Sequence, residues 1–113
     1  MTQERTYIDY LEDILGATKK VAQFIGQMDY EQFVNDEKTF FAVIRAMEII
    51  GEATKQLPSS FRDNHPEISW RVMAGMRDKL IHHYFGVDEA TIWETATQDL
   101  PQLSQIVQKI LGK

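Results

Sequence analysis

Apolar residues recur every three or four positions along most of this chain, and nowhere do they alternate with polar ones over the length of a strand. That period predicts helices throughout. Tyr7, Ile8, Leu11, Ile14, Leu15, Val21, Ala22 and Ile25 form one stripe, with Thr18 its single polar member. They predict a first helix from about Gln3 to Gln27, capped by Thr2, with Glu4 suited to the dipole of the first turn. Gly16 and Gly26 each weaken a helix interior by about 1 kcal/mol relative to alanine, a cost the length of the amphipathic pattern outweighs.

The stretch from Asp29 to Asn35 breaks the pattern and has room for one short helical turn around Tyr30 to Phe33. Asn35 or Asp36 can then cap a second long helix reaching about Leu57, with Phe40, Val43, Ile44, Met47, Ile50, Gly51 and Leu57 on its apolar face. Beside that face Arg45, Glu48, Glu52 and Lys55 form a charged ladder, in the simplest reading a solvated one. Pro58 ends the helix, and the segment to Pro66 reads as loop with one short turn. Ser69 caps a third helix from about Trp70 to Tyr84, with Trp70, Met73, Met76, Leu80 and Ile81 as its core stripe and Gly86 as its stop. Asp88 caps a fourth, offering Ala90, Ile92, Trp93 and Ala96 for burial. Pro101 predicts a kink or a restart near Asp99 or Leu100. Leu103, Ile106, Val107, Ile110 and Leu111 complete the last stripe. The expected architecture is an all-α, up-and-down bundle of four to five helices in one domain, residues 1–113.

Composition narrows the function more than the fold. No apolar run approaches the roughly 20 residues that cross a bilayer. The first residues lack the basic-then-apolar order of a signal peptide, so a cytoplasmic protein with no membrane partner is expected. The absence of cysteine removes disulfides, thiolate zinc sites and cysteine nucleophiles. Histidines 65, 82 and 83 are too few and too scattered for a metal site, and neither a His-Glu-x-x-His pattern nor a nucleophile elbow is present; no cofactor is expected. A net charge of -5 argues against broad clamping of nucleic acid, but the charge is uneven. Residues 71–83 carry Arg71, Arg77 and Lys79 against Asp78 alone, whereas residues 88–102 carry Asp88, Glu89, Glu94 and Asp99 with no base. A local site for RNA or a nucleotide therefore stays open.

The segment from Met76 to Phe85 concentrates the candidate chemistry. On a helix Asp78 and His82 face the same way, and Arg77 lies nearly over Tyr84 on an adjacent face. Arg77 and His82 are separated by roughly 140° around the axis, so one helix makes an open, incomplete site that a symmetric second copy could close. The residue types suit phosphodiester chemistry without a metal. A histidine exchanges protons near neutral pH, and an arginine grips phosphate while keeping its charge. Asp78 could orient the His82 ring. Spacing alone also admits a structural reading: Arg77 and Asp78 as surface ion-pairing residues, His82 and His83 as cations at a helix end, Tyr84 as a core aromatic. Glu52 could approach from the second long helix, though a charge there is more often solvated, and Tyr7 and Tyr10 are most simply packing residues.

The order Arg77, four residues, His82, one residue, Tyr84 resembles the Arg-x4-His-x-Tyr signature of HepT-like toxins of the HEPN superfamily. Arg45 to Ala53, Pro66 to Trp70 and Tyr84 to Asp88 resemble the same family in the same order, so the likeness covers nearly the whole chain. The resemblance implies a metal-independent endoribonuclease built as a homodimeric HEPN-like bundle, with Arg77 and His82 as the catalytic pair and Asp78 supporting. It further implies 2′-hydroxyl attack on the adjacent phosphate, and a minimal nucleotidyltransferase antitoxin that transfers AMP to Tyr84. Glu52 and His83 stand as second-line candidates around that site. Two other expectations compete: a non-catalytic nucleotide- or protein-binding bundle, and an inert subunit that only binds the nucleotidyltransferase.

Overall fold

In a computed structural model the structure describes residues 6–71, 73, 74 and 88–113. Among them every regular element is helical, as the apolar period predicts.

Local side-chain chemistry sets the ends of the first elements. Helix α1 spans Tyr7–Ile25. Its cap is Thr6 rather than Thr2, because Thr6 has an acid three residues on to complete a capping box. The Thr6 N–H donates to Asp9 Oδ2 at 2.9 Å, and the Asp9 N–H donates to Thr6 Oγ1 at 3.4 Å. Gly26, at φ 53°, turns the chain out of α1 while its N–H reaches Ala22 O at 2.9 Å. A side chain there would be strained. Asp29 and Gln32 form a second capping box at the start of α2, Tyr30–Asn35. Asp36 is the cap of α3, Glu37–Lys55, accepting the Thr39 N–H at 3.0 Å. Beyond Pro58, the short turn expected in the loop is α4, Ser59–Asp63.

A further helix begins at residue 70, where the Met73 N–H donates to Ser69 O at 3.0 Å. Asp88 caps α5, Glu89–Glu94, by accepting the Ala90 N–H at 3.0 Å and the Thr91 hydroxyl at 2.9 Å. Regular α-helical geometry restarts at Leu100, with Pro101 in its first turn as expected, but Asp99 makes no side-chain cap and the helical path is not broken. A π-helical segment, Thr95–Asp99, carries the chain directly into α6, Leu100–Ile110. Proline lacks an N–H and its ring collides with the carbonyl four residues back in a regular helix. Widening the turn just upstream, with the Leu100 N–H reaching Thr95 O, relieves that collision without ending the helix.

Helix α1 is the central element, packed against both α3 and α6. Leu11, Ile14 and Val21 of α1 meet Val43, Met47 and Ile50 of α3 and Leu100, Leu103 and Val107 of α6 in a core with almost no solvent access. The polar members of the stripes are satisfied within their own helices. The Thr18 hydroxyl donates to Leu15 O at 2.8 Å and the Thr54 hydroxyl to Ile50 O at 2.7 Å, so both side chains can be buried. Helix α2 plugs one end with Phe33, which is completely buried between Phe40 and Trp93 at ring separations of 5.5 and 5.2 Å. Three members of the expected first stripe do not join the core: Tyr7, Ile8 and Ala22 are exposed. At the start of α1 Tyr7 leans on Phe61 of α4, at 5.6 Å. Ala90 is likewise exposed.

Candidate functional site

The residues singled out by spacing and resemblance, Arg77, Asp78, His82, His83 and Tyr84, lie outside the described residues. The structure does describe the chain that leads into them and the two long helices, including α3, which carries Glu52.

The lead-in is a compact aromatic clamp. The Trp70 indole Nε1–H donates to His65 O at 2.8 Å, closing the loop that contains Pro66 onto the first turn of the helix at residue 70. Trp70 is 8% exposed and meets Phe61 edge-on at 5.9 Å, while the His65 ring lies over Phe61 at 4.7 Å. His65 Nδ1 sits 3.2 Å from Glu67 Oε1. The Glu67 carboxyl is held below its ordinary pKa of 4.5, first by a hydrogen bond to its own backbone and then by the bond to His65. The apolar stripe places Trp70 in the core but does not give its indole hydrogen bond. The signal for it was a buried tryptophan, whose N–H needs an acceptor, five residues after the loop histidine.

Glu52 is exposed and lines an open groove between α1 and α3, about 370 Å³ in volume, together with Tyr10, Asp13, Ile49, Ala53 and Gln56. The start of α1 thus lies beside the end of α3, and the two helices run antiparallel. Tyr10 belongs to the groove wall as well as to the packing. The charged ladder is on the surface as expected: Arg45 pairs with Glu48 at 3.6 Å with its side chain 66% exposed. A smaller groove, about 180 Å³, lies between Glu67, Ile68, Ser69 and Met73 on one side and Asp99, Gln102, Leu103 and Ile106 on the other, where the π-helical turn meets α6. Among the described residues no group of three or more His, Asp or Glu side chains converges as metal ligands would. Among them too, no helix is long and apolar enough to cross a membrane.

Comparison with known proteins places this scaffold. Residues 14–110 match the family model described as "Ribonuclease HepT-like". A relative from Thermococcus cleftensis, named "Probable ribonuclease HepT", is 51% identical over 107 residues, covering 95% of this chain and 97% of the relative. A Methanocaldococcus jannaschii relative whose name assigns it provisionally as an RNase is 46% identical over 102 residues, 90% of this chain and 88% of its own. Another with the same provisional assignment, from Caldanaerobacter subterraneus subsp. tengcongensis, is 45% identical over 104 residues, 92% of this chain and 93% of its own. No solved structure matches. With a family model that spans most of the chain, and relatives near half identity over nearly their whole length, this chain belongs to the HepT-like ribonuclease family.

Proposed function

We infer that the protein is a metal-independent endoribonuclease, the toxin of a toxin–antitoxin pair, acting in the cytoplasm as a homodimer of a single helical domain. The observation that carries this reading is the coincidence of the family match over residues 14–110 with an Arg77-x4-His82-x-Tyr84 set inside that span. His82 takes the proton from a ribose 2′-hydroxyl. The 2′-oxygen attacks the adjacent phosphorus, the bond to the 5′-oxygen breaks, and the leaving oxygen is protonated by an imidazolium, which leaves a cyclic phosphate. Arg77 binds the phosphate through its guanidinium and stabilises the charge that builds up in the transition state. Asp78, four residues before His82, orients its ring. Glu52 and His83 are supporting candidates at the edge of the site.

An ideal helix would set Arg77 and His82 about 140° apart, and on this reading a second copy completes the site. A minimal nucleotidyltransferase is the partner, and transfer of AMP to the Tyr84 hydroxyl silences the enzyme by adding bulk and a negative phosphate where the RNA phosphate would sit. The competing reading is a non-catalytic nucleotide- or protein-binding bundle. RNA cleavage by the purified protein in EDTA, beside His82→Ala and Arg77→Ala, separates the two. Removing a general base costs about 10²- to 10⁴-fold in rate. Equal cleavage by all three proteins removes the assigned site. After incubation with the nucleotidyltransferase and ATP, mass spectrometry is expected to find the adenylyl group on a Tyr84 peptide, and modification only elsewhere sinks the switch.

A further inference from the structure

We propose that the groove between α1 and α3 is a nucleobase pocket that selects guanine in the RNA to be cut, with Glu52 and Gln56 reading its Watson–Crick edge. The proposal rests on the ribonuclease reading for its ligand class.

Each helix lends the groove one face. Tyr10 and Asp13 are three apart on α1, and Ile49, Glu52, Ala53 and Gln56 follow the three- and four-residue steps of a single stripe on α3. From Ile49 to Gln56 the stripe runs about 10 Å along the helix axis. A volume of about 370 Å³ falls in the range of small-ligand sites. Ala53 is buried and its small side chain forms the floor, while the half-buried Tyr10 and Ile49 supply apolar walls. Glu52 and Gln56 are exposed and stand one turn apart, a spacing that sets Cβ atoms about 5–6 Å from each other. The antiparallel order of the helices brings Asp13 toward Glu52 and Tyr10 toward Gln56.

These groups suit guanine better than the other bases. Along its Watson–Crick edge guanine presents the O6 carbonyl and then two adjacent donors, N1–H and the N2 amino group. The Glu52 carboxylate accepts both donors side by side, and the Gln56 amide, one turn on, donates to O6. The second N2 hydrogen is left for Asp13. Adenine turns a lone pair at N1 toward the carboxylate, and cytosine does the same at N3. Uracil flanks a single donor with two carbonyl oxygens.

Asp13 and Glu52 each already have an interaction partner. A carboxylate has about four lone-pair sites, so it accepts further N–H groups beside an existing partner. The base itself is uncharged, and the phosphate of the same nucleotide stays outside the groove for Arg77 to hold. Single-stranded RNA is read in this manner, by bases turned out of the stack, packed against side chains and hydrogen-bonded along their Watson–Crick edges.

Cleavage, in EDTA, of twelve-nucleotide oligouridylates carrying one guanosine, inosine, adenosine or cytidine at the same position tests the pocket. The wild type is expected to cut beside guanosine about 5- to 150-fold faster than beside adenosine or cytidine. Inosine keeps O6 and N1–H but lacks the N2 amino group, and is expected to fall between them. Glu52→Gln is expected to shrink the guanosine preference about 5-fold or more, whatever it does to the absolute rate. The exchange Glu52→Gln with Gln56→Glu puts a donor opposite N1 and an acceptor opposite the 6-position, so the preference should turn toward adenosine. Both positions are exposed, and circular dichroism checks that the variants stay folded. Equal cutting beside all four nucleosides by the wild type overturns the pocket and leaves the ribonuclease reading standing. A guanosine preference that inosine, Glu52→Gln and the exchange all leave untouched overturns it too. If only cellular RNA is cut, mapped cut sites without an adjacent guanine have the same force. A wild type that cuts no RNA at all rejects the ribonuclease reading, and the pocket with it.

Discussion

Trp70→Phe isolates one interaction in the clamp that precedes the candidate catalytic segment. The substitution keeps an aromatic ring beside Phe61 but removes the indole N–H that donates to His65 O at 2.8 Å. The carbonyl is left without that donor in a partly buried setting, which costs about 1–3 kcal/mol. The ring is also smaller, and Trp70 is only 8% exposed, so some contact is lost with the bond. At about 2.1 cal/mol/K per residue, a chain of 113 residues unfolds with an entropy of roughly 0.24 kcal/mol/K. A loss of about 1.5 kcal/mol therefore lowers the melting temperature by about 6 °C. Circular dichroism melts of wild type and Trp70→Phe at one protein concentration measure this. Trp70→Ala supplies the upper reference, because emptying the site costs about 3–5 kcal/mol. A shift below 1 °C for Trp70→Phe, with a large one for Trp70→Ala, would refute the hydrogen bond as a stabilising element and leave only ring packing. Ribonuclease rates measured well below both melting temperatures then report whether the clamp also positions the segment after it. A fall in kcat beyond the unfolded fraction is the expected sign.

Two further predictions concern the scaffold. Phe33→Ala removes a fully buried ring from between Phe40 and Trp93 and is expected to cost about 3–5 kcal/mol, visible as a drop in the urea midpoint with the slope unchanged; a cost under 1 kcal/mol would mean that α2 does not hold this end of the bundle. The lowered pKa of Glu67 gives a sign for pH dependence. A depressed carboxylate stabilises the fold above its unfolded pKa and loses that contribution as pH falls through the folded one, so the advantage of wild type over Glu67→Gln should be present at pH 6 and fade as the pH drops from 4.5 through the lower folded value. A difference that persists into strong acid contradicts the ionic origin.

Much of this protein is decided within a few residues of chain. The capping boxes of Thr6 with Asp9 and Asp29 with Gln32, and the caps Asp36 and Asp88, are local contacts between side chain and backbone. The stripes of α1, α3 and α6 follow from the helical period, so the elements and the all-helical class are legible in order along the chain. The candidate catalytic set is legible for a related reason: Arg77, His82 and Tyr84 lie within eight positions of one another, and helical geometry together with family resemblance gives them a meaning. The second copy proposed to complete that site is not encoded in any spacing along one chain.

Tertiary structure decided what depends on residues far apart. Tyr7 and Ile8 fit the stripe of α1 but stay exposed, since the helical period does not say which part of a stripe another element will cover. Pro101 announces a disturbance, yet a π-helical turn kept the helix running into α6, which contributes Leu103 and Val107 to the core. The groove of Tyr10, Asp13 and Glu52 exists only because α1 and α3 run antiparallel. Local chemistry determined where helices start and stop; which of their faces meet, and which are left to water or to a ligand, was set by how they pack.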